Sequence, residues 1–221
     1  MIMNKNNLSD FWENTVVKSD KHFVETLSQE KIDRMTSRVN EFIFSKLDFS
    51  NINTVIDWGC GGGLFAKILS EKANVILADI STESLNKAEE YLKPKSAEKL
   101  HIPDNLDNIK LPEKQVDLLF SHTVIHHFPS LEYWHNIFDI WTNKIRPKYF
   151  GLQIKIGNKT SERANYFTGK NYLNALYLNE NEFVTMFEKA GYKKINTGYK
   201  INTYKNPDLI MKVGYFVFEK I

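Results

Sequence analysis

The chain has 221 residues, 42% hydrophobic and 25% charged, the balance of a folded globular protein, which excludes wholesale disorder. Its 29 Lys+Arg against 27 Asp+Glu leave a formal net charge of +2, too even to point to nucleic acid or an anionic membrane, and no stretch approaches the roughly 18 apolar residues of a membrane span. A single cysteine, Cys60, cannot form an internal disulfide, and residues 1–10 lack the apolar core of a secretory signal, so a cytoplasmic location is expected.

The opening segment to about Gln29 is polar, with isolated aromatics at Phe11, Trp12 and Phe23, and reads as a loose lead-in or flap. From Ser28 to Leu47, Ile32, Met35, Val39, Phe42, Ile43 and Leu47 recur at steps of three and four, which predicts one helical face. Thr54-Val55-Ile56 is a β-branched run ending at Asp57 and a cluster of glycines, after which Leu64, Phe65, Ile68 and Leu69 return to helical spacing. Val75 to Ala78 predicts a second buried strand ending at Asp79. Ser81 can cap the next helix, which Pro94 stops. A weaker strand is expected over Lys99 to Ile102, then strands at Val116–Ser121 and Tyr149–Ile156, with a helix from Leu131 to Trp141 between them. Residues 158–178 are irregular and aromatic. Glu180–Ala190 predicts a helix ended by Gly191, and Tyr192–Tyr199 and Val213–Phe218 predict the last two strands.

Alternating strands and helices predict an α/β fold: a doubly wound, mostly parallel sheet of seven strands with an antiparallel edge strand, preceded by a helical cap. The expected organisation is a lead-in and cap helix over 1–50 and one domain over 51–221. Residues 158–178 are long for a structureless connection and suit a lid.

Asp57-Trp58-Gly59-Cys60-Gly61-Gly62-Gly63 leaves a strand and enters a helix, so the glycines permit a tight turn and close approach of a ligand to the backbone. Asp79 ends the next strand, 22 residues after Asp57, where a carboxylate can accept from both hydroxyls of a ribose. The dinucleotide fingerprint requires glycine at the sixth position, occupied here by Leu64. No Lys-Ser or Lys-Thr follows for a P-loop. A carboxylate two residues before the glycines would repel a pyrophosphate and welcome an ammonium.

At these residues the sequence resembles the class I S-adenosylmethionine-dependent methyltransferases. Asp57 to Gly63 looks like that family's first motif, and Asp79 like its ribose-binding acid. Asp104-Asn105-Leu106 is similar to the family's adenine-holding segment. Val116 to His122 resembles the fourth strand and its exit, Val124-Ile125-His126-His127 a hydrophobic-His-His element of small-molecule members, and Glu182 to Ile195 the penultimate helix and strand. The resemblance implies a Rossmann-like fold and S-adenosylmethionine as cofactor. It implies a cofactor site built from Asp57, Gly59, Cys60, Gly61, Asp79, Ile80, Asp104, Asn105, Ser121 and His122.

His122, His126 and His127 cluster where the fourth strand leaves the sheet. His122 and His126 stand four apart, but no HExxH pattern or suitably spaced Cys or Glu completes a metal set, so no metal is expected. A histidine there can take a proton from a hydroxyl. His126 or His127 is the expected base, with His126 nearer the strand end, titrating at about 6.5. The aromatics Phe11, Trp12, Tyr166, Phe167, Tyr172 and Tyr177 suit either packing on the sheet or a cover that excludes water.

Members that methylate amino groups of bases or proteins often carry Asn-Pro-Pro-aromatic where this chain reads Ser121-His122-Thr123-Val124. The expectation is therefore O-methylation of a sugar or other hydroxylated small molecule, without nucleic acid or membrane. The alternatives are N- or C-methylation of a small metabolite, or a cofactor-binding partner protein without catalysis.

Overall fold

In the computed structural model, which describes residues 8–17, 27–162, 176–203 and 210–221, the short apolar runs form a sheet whose parallel core is five strands wide. These strands are β1 (Thr54–Trp58), β2 (Asn74–Asp79), β3 (Glu98–His101), β4 (Leu118–Ser121) and β5 (Tyr149–Gly157), in the order β3-β2-β1-β4-β5. Further strands are β6 (Ser161–Glu162), β7 (Leu176–Asn179), β8 (Tyr192–Thr203) and β9 (Ile210–Lys220). β9 runs antiparallel to β5 from Tyr149↔Glu219 to Ile156↔Lys212, and β8 pairs antiparallel with β9.

The sheet has nine strands among the described residues, two more than the seven expected. Both additions fall in or beside the segment read as irregular. β7 joins β5 only at Ile156↔Leu178 and Gly157↔Asn179, beyond the point where β4 ends at Ser121, so it extends the edge that β4 leaves. A two-residue strand such as β6, paired through Ser161↔Tyr177, is too short for any period-two pattern.

The helices are α1 (Leu8–Val17), α2 (Gln29–Phe42), α3 (Leu64–Ser70), α4 (Thr82–Leu92), α5 (Leu131–Asp139) and α6 (Glu180–Lys189). Ser28, Ser81, Ser130 and Asn179 cap α2, α4, α5 and α6 by accepting from backbone N–H groups of the first turn. α5 continues as a π-helical turn over Ile140–Ile145. The lead-in expected to be loose forms α1 over Leu8–Val17, and the reason lies in tertiary contacts described below.

Strand alternation sorts the core into two layers. Ile56, Trp58, Ile76, Ala78, Leu119 and Phe150 face α5 and α6, packing with Trp134, Ile137, Phe183 and Phe187. Val55, Val75, Leu77, Leu118 and Phe120 face the other way, against Val39 of α2, Phe65 and Ala66 of α3, and Leu85 and Ala88 of α4. With both faces covered, β1 is buried along its whole length, which explains why it reads as a continuous apolar run. The carboxyl ends of β1 to β4 open at one end of the sheet, and ligands of open α/β sheets bind there.

Candidate cofactor and acceptor site

The glycine loop closes back on the end of β2. The backbone N–H groups of Gly59 and Cys60 both donate to the Ala78 carbonyl, at 2.7 and 3.0 Å. Gly59 has φ +75°, and a Cβ there would lie 2.3 Å from Val124 Cγ2, so the position requires glycine. Gly61 has φ +50°, but a Cβ there would meet nothing within 4 Å. Its open side faces a cavity of about 500 Å³ at the strand ends, within the usual range for a small-molecule site.

Two acids stand at this cavity. Asp79 is buried; its Oδ2 accepts from the Gly61 N–H at 2.9 Å and its Oδ1 from the Ser81 N–H at 3.0 Å. Burial raises its pKa against these bonds. Asp57 is only 3% exposed, and its Oδ2 has no hydrogen-bond partner. Burial, and secondarily the nearby Asp79 carboxylate, pushes Asp57 up to about 7. The Ala66 backbone N–H acts against these two effects, but a buried carboxylate with one oxygen unpartnered still costs stability unless something supplies the counter-charge. Asp57 therefore presents an acceptor to a cationic ligand, Asp79 lies one strand away, and Gly61 leaves the backbone open between them.

Helix α1 reaches over this end of the sheet. Ser9 donates to Asp104 through its backbone N–H, at 3.0 Å, and through its hydroxyl. Glu13 caps the amino end of α4, accepting from the Ser81 hydroxyl at 3.0 Å and from the N–H groups of Thr82 and Glu83. These contacts span 68 to 95 positions of sequence, which is why no local pattern announces the helix. Leu8 and Trp12 of α1 line the cavity, and the Trp12 ring stands edge-on to His127 at 5.3 Å. Of the other aromatics named as a cover, Phe11 packs edge-on against Trp12 at 5.3 Å, and Tyr177 lies on β7. Phe23, Tyr166, Phe167 and Tyr172 lie outside the described residues.

The exit of β4 is strained. Thr123 has φ +64°, unusual for a β-branched residue, and is held there by its N–H donating to the buried Gln153 side chain at 2.7 Å. Its hydroxyl lies 2.9 Å from His122 Nδ1. His122 packs against Phe65 with ring centroids 4.6 Å apart. His126 and His127 occupy a short 3-10 turn, rings 4.0 Å apart. His122 and His127 line the cavity, whereas His126 is 2% exposed and does not. Burial moves all three below the usual histidine range, His122 to about 3 and His127 to about 4. The expected titration near 6.5 does not fit, because the apolar surroundings penalise the imidazolium.

Asp57, Gly59, Cys60, Gly61, Asp79, Ile80 and His122 line the cavity. Asp104, Asn105 and Ser121 do not: Asp104 is engaged by Ser9, Asn105 caps a turn by accepting from the Asp107 N–H, and Ser121 donates to the Trp58 carbonyl at 3.0 Å. The wall also includes Met35, Ser84, Lys87 and Tyr133, which sequence reasoning missed. Tyr133 stands in the first turn of α5, where burial, and secondarily the charges of Asp104 and Asp79, raise its phenol. Helical periodicity marked Met35 as core, yet it is half-buried at the cavity edge.

Residues 56–147 match a family model described as a methyltransferase domain. Over 72 residues the chain is 35% identical to a malonyl-[acyl-carrier protein] O-methyltransferase from Hamiltonella defensa, an alignment spanning 32% of this chain and 26% of that protein. The fold is similar to the magnesium protoporphyrin IX methyltransferase of Synechocystis PCC 6803 with bound S-adenosylmethionine, at TM-score 0.62 and 15% identity over 99% of this chain and 98% of that one. It is also similar to an N-methyltransferase of Bradyrhizobium japonicum in complex with S-adenosyl-L-homocysteine, at TM-score 0.66 and 9% identity over 96% and 98%. Residues 56–147 thus carry the match to a methyltransferase domain, and the sheet with its glycine loop and paired acids has the fold of solved S-adenosylmethionine-dependent methyltransferases.

Proposed function

We propose that this chain transfers a methyl group from S-adenosylmethionine to an oxygen of a hydroxylated small molecule. The observation that carries the cofactor assignment is Asp57: a residue of the cavity wall beside the glycine loop whose Oδ2 is buried without a partner. The amino-acid end of the cofactor brings the ammonium that Asp57 lacks. Asp79 accepts from the ribose hydroxyls, and Gly61 lets the ligand lie against the backbone. Ile80, Ile102, Phe128 and Tyr133 of the cavity wall would hold the adenine end. When bound, the cofactor supplies a methyl group on a sulfonium already activated for displacement.

The protein's own contribution is alignment, exclusion of water and removal of a proton. α1, tethered through Ser9 and Glu13, screens the cavity. A hydroxyl acceptor must lose its proton, and the neutral imidazole of His127 at the cavity wall can receive it. Ser121-His122-Thr123-Val124 in place of Asn-Pro-Pro-aromatic favours oxygen over an amino group.

Calorimetry tests the reading directly. Wild-type protein should bind S-adenosylmethionine and S-adenosylhomocysteine, and Asp79→Ala should weaken both by roughly 30- to 150-fold, the loss of about 2–3 kcal/mol of charge-assisted hydrogen bonding. Tight NADH binding with no S-adenosylmethionine binding would overturn the assignment.

A further inference from the structure

The polar groups of the cavity divide unevenly. Asp57, Asp79 and the glycine-loop backbone serve the cofactor under the function proposed above, and Tyr133 stands at the adenosine end beside Asp104 and Asp79. On α4 the wall carries Ser84, beside the Ser81 cap that Asp79 holds, and Lys87, 3.9 Å from Glu83 on the same helix. With those residues given to the cofactor, the apolar lining that remains among the described residues is Leu8, Trp12, Met35, Leu64, Phe65 and Val124. His122, Thr123 and His127 supply its polar side chains, gathered at the exit of β4. The His122 ring is itself packed in aromatic surroundings, with Phe65 at 4.6 Å, Tyr215 at 6.2 Å and Phe120 nearly parallel at 6.4 Å.

This distribution suits one kind of acceptor. A sugar carries a hydroxyl on most of its carbons, and each one buried against Trp12 or Met35 without a partner would lower affinity by roughly five- to hundredfold. A flat apolar ring gains from the same walls: its area leaves water, Trp12 and Phe65 offer ring edges and faces, and the Met35 thioether adapts to it. Its lone polar atom then has a single place to go, the His122–Thr123–His127 corner. Thr123 is held at φ +64° by Gln153 in the conformation that brings its hydroxyl to 2.9 Å from His122. Strain maintained by a buried partner at a cavity wall marks a positioned group.

We infer that the acceptor is a ring-sized, largely apolar aromatic alcohol rather than a sugar, seated against Trp12, Met35 and Phe65 with its hydroxyl at the His122–Thr123–His127 corner. This rests on the reading of the cavity as an S-adenosylmethionine site.

The test is calorimetry on protein saturated with S-adenosylhomocysteine, titrated with 2-naphthol and, separately, with methyl α-glucoside. The expected result is saturable one-to-one binding of 2-naphthol at least tenfold tighter than the glucoside. Met35→Gln and Trp12→Ala should each narrow that ratio at least fivefold, while their binding of S-adenosylhomocysteine reports that the site has folded. Glucoside binding as tight as 2-naphthol, or a ratio unchanged in both variants, overturns the inference and leaves the cofactor reading standing. Absence of S-adenosylhomocysteine binding by the wild type overturns both.

Discussion

Asp104 grips Ser9 with both carboxylate oxygens, one on the backbone N–H at 3.0 Å and the other on the hydroxyl. The acid that family resemblance assigns to adenine thus tethers α1, the helix whose Leu8 and Trp12 line the cavity. With Glu13 on the amino end of α4, it makes two anchor points for a ten-residue helix, too short to be stable alone. Asp104→Ala should therefore release α1. Hydrogen exchange over residues 8–17 should quicken roughly fivefold or more, the loss of about 1 kcal/mol or more of hydrogen bonding, while α4 keeps its protection. Unchanged exchange over 8–17 would show that Asp104 does not hold the helix.

Asp57 makes the protein less stable without ligand than with it. Its folded pKa of about 7 exceeds the ordinary 3.8, so between about pH 4 and pH 7 the native state binds more protons than the unfolded one. Stability therefore falls through that window as pH rises, insofar as Asp57 determines it. The buried histidines, with lowered pKa values, act in the opposite sense, so the difference between wild type and Asp57→Asn isolates the effect. Asp57→Asn should be more stable than the wild-type apoprotein at pH 7.5, with the advantage vanishing near pH 4. It should also bind S-adenosylmethionine at least tenfold more weakly. A variant less stable at pH 7.5 would show that burial of the Asp57 carboxylate is not a net cost, the Ala66 backbone N–H outweighing the unpartnered Oδ2.

What the sequence revealed and what it hid follow the range of the interactions. β1, β2, β4 and β5 were legible because strands covered on both faces need apolar side chains throughout, and Asp57, Gly59 and Asp79 because a ligand at strand ends imposes residue types at fixed spacing. α1 was not legible: Ser9 and Glu13 find partners 95 and 68 residues away, and polar residues in a polar segment give no periodicity. β6 and β7 pair through two and four residues, below what any pattern can register. The histidines were legible as a cluster, but their protonation was not, since it depends on burial by rings such as Phe65 on His122 and Trp12 on His127, brought from elsewhere in the chain.

Gly59 and Gly61, ahead of α3, should fail differently. A Cβ at Gly59 would press within 2.3 Å of Val124, so Gly59→Ala should lower the melting temperature by several degrees, as a loss of about 1–3 kcal/mol from overpacking implies for a domain of this size. A Cβ at Gly61 meets only open cavity. Gly61→Val strains its positive φ by about 1–2 kcal/mol and also fills space against the ligand. S-adenosylhomocysteine affinity should drop more than tenfold in Gly61→Val even at temperatures where the protein is fully folded. Normal affinity in a folded Gly61→Val would remove the loop from the cofactor cradle.

The last expectation concerns the proton. His127 lines the cavity and titrates near 4, so it is neutral at pH 7 and available as a base. His126, lowered by burial and by His127 beside it, is not on the cavity wall and is not positioned to receive a proton from the acceptor. His127→Gln should then lose roughly 10²- to 10⁴-fold in turnover while still binding cofactor, and His126→Gln less than tenfold. The pH profile discriminates further, provided cofactor is saturating, because the ionisation of Asp57 near 7 acts through cofactor binding and drops out of kcat. Under that condition wild-type kcat should be level from pH 7 down to about 5, and fall only as His127 begins to protonate. A limb centred near 6.5 would mean that the catalytic imidazole is solvated rather than buried. Equal turnover in both variants would place the base elsewhere or point to an acceptor nitrogen that arrives already deprotonated.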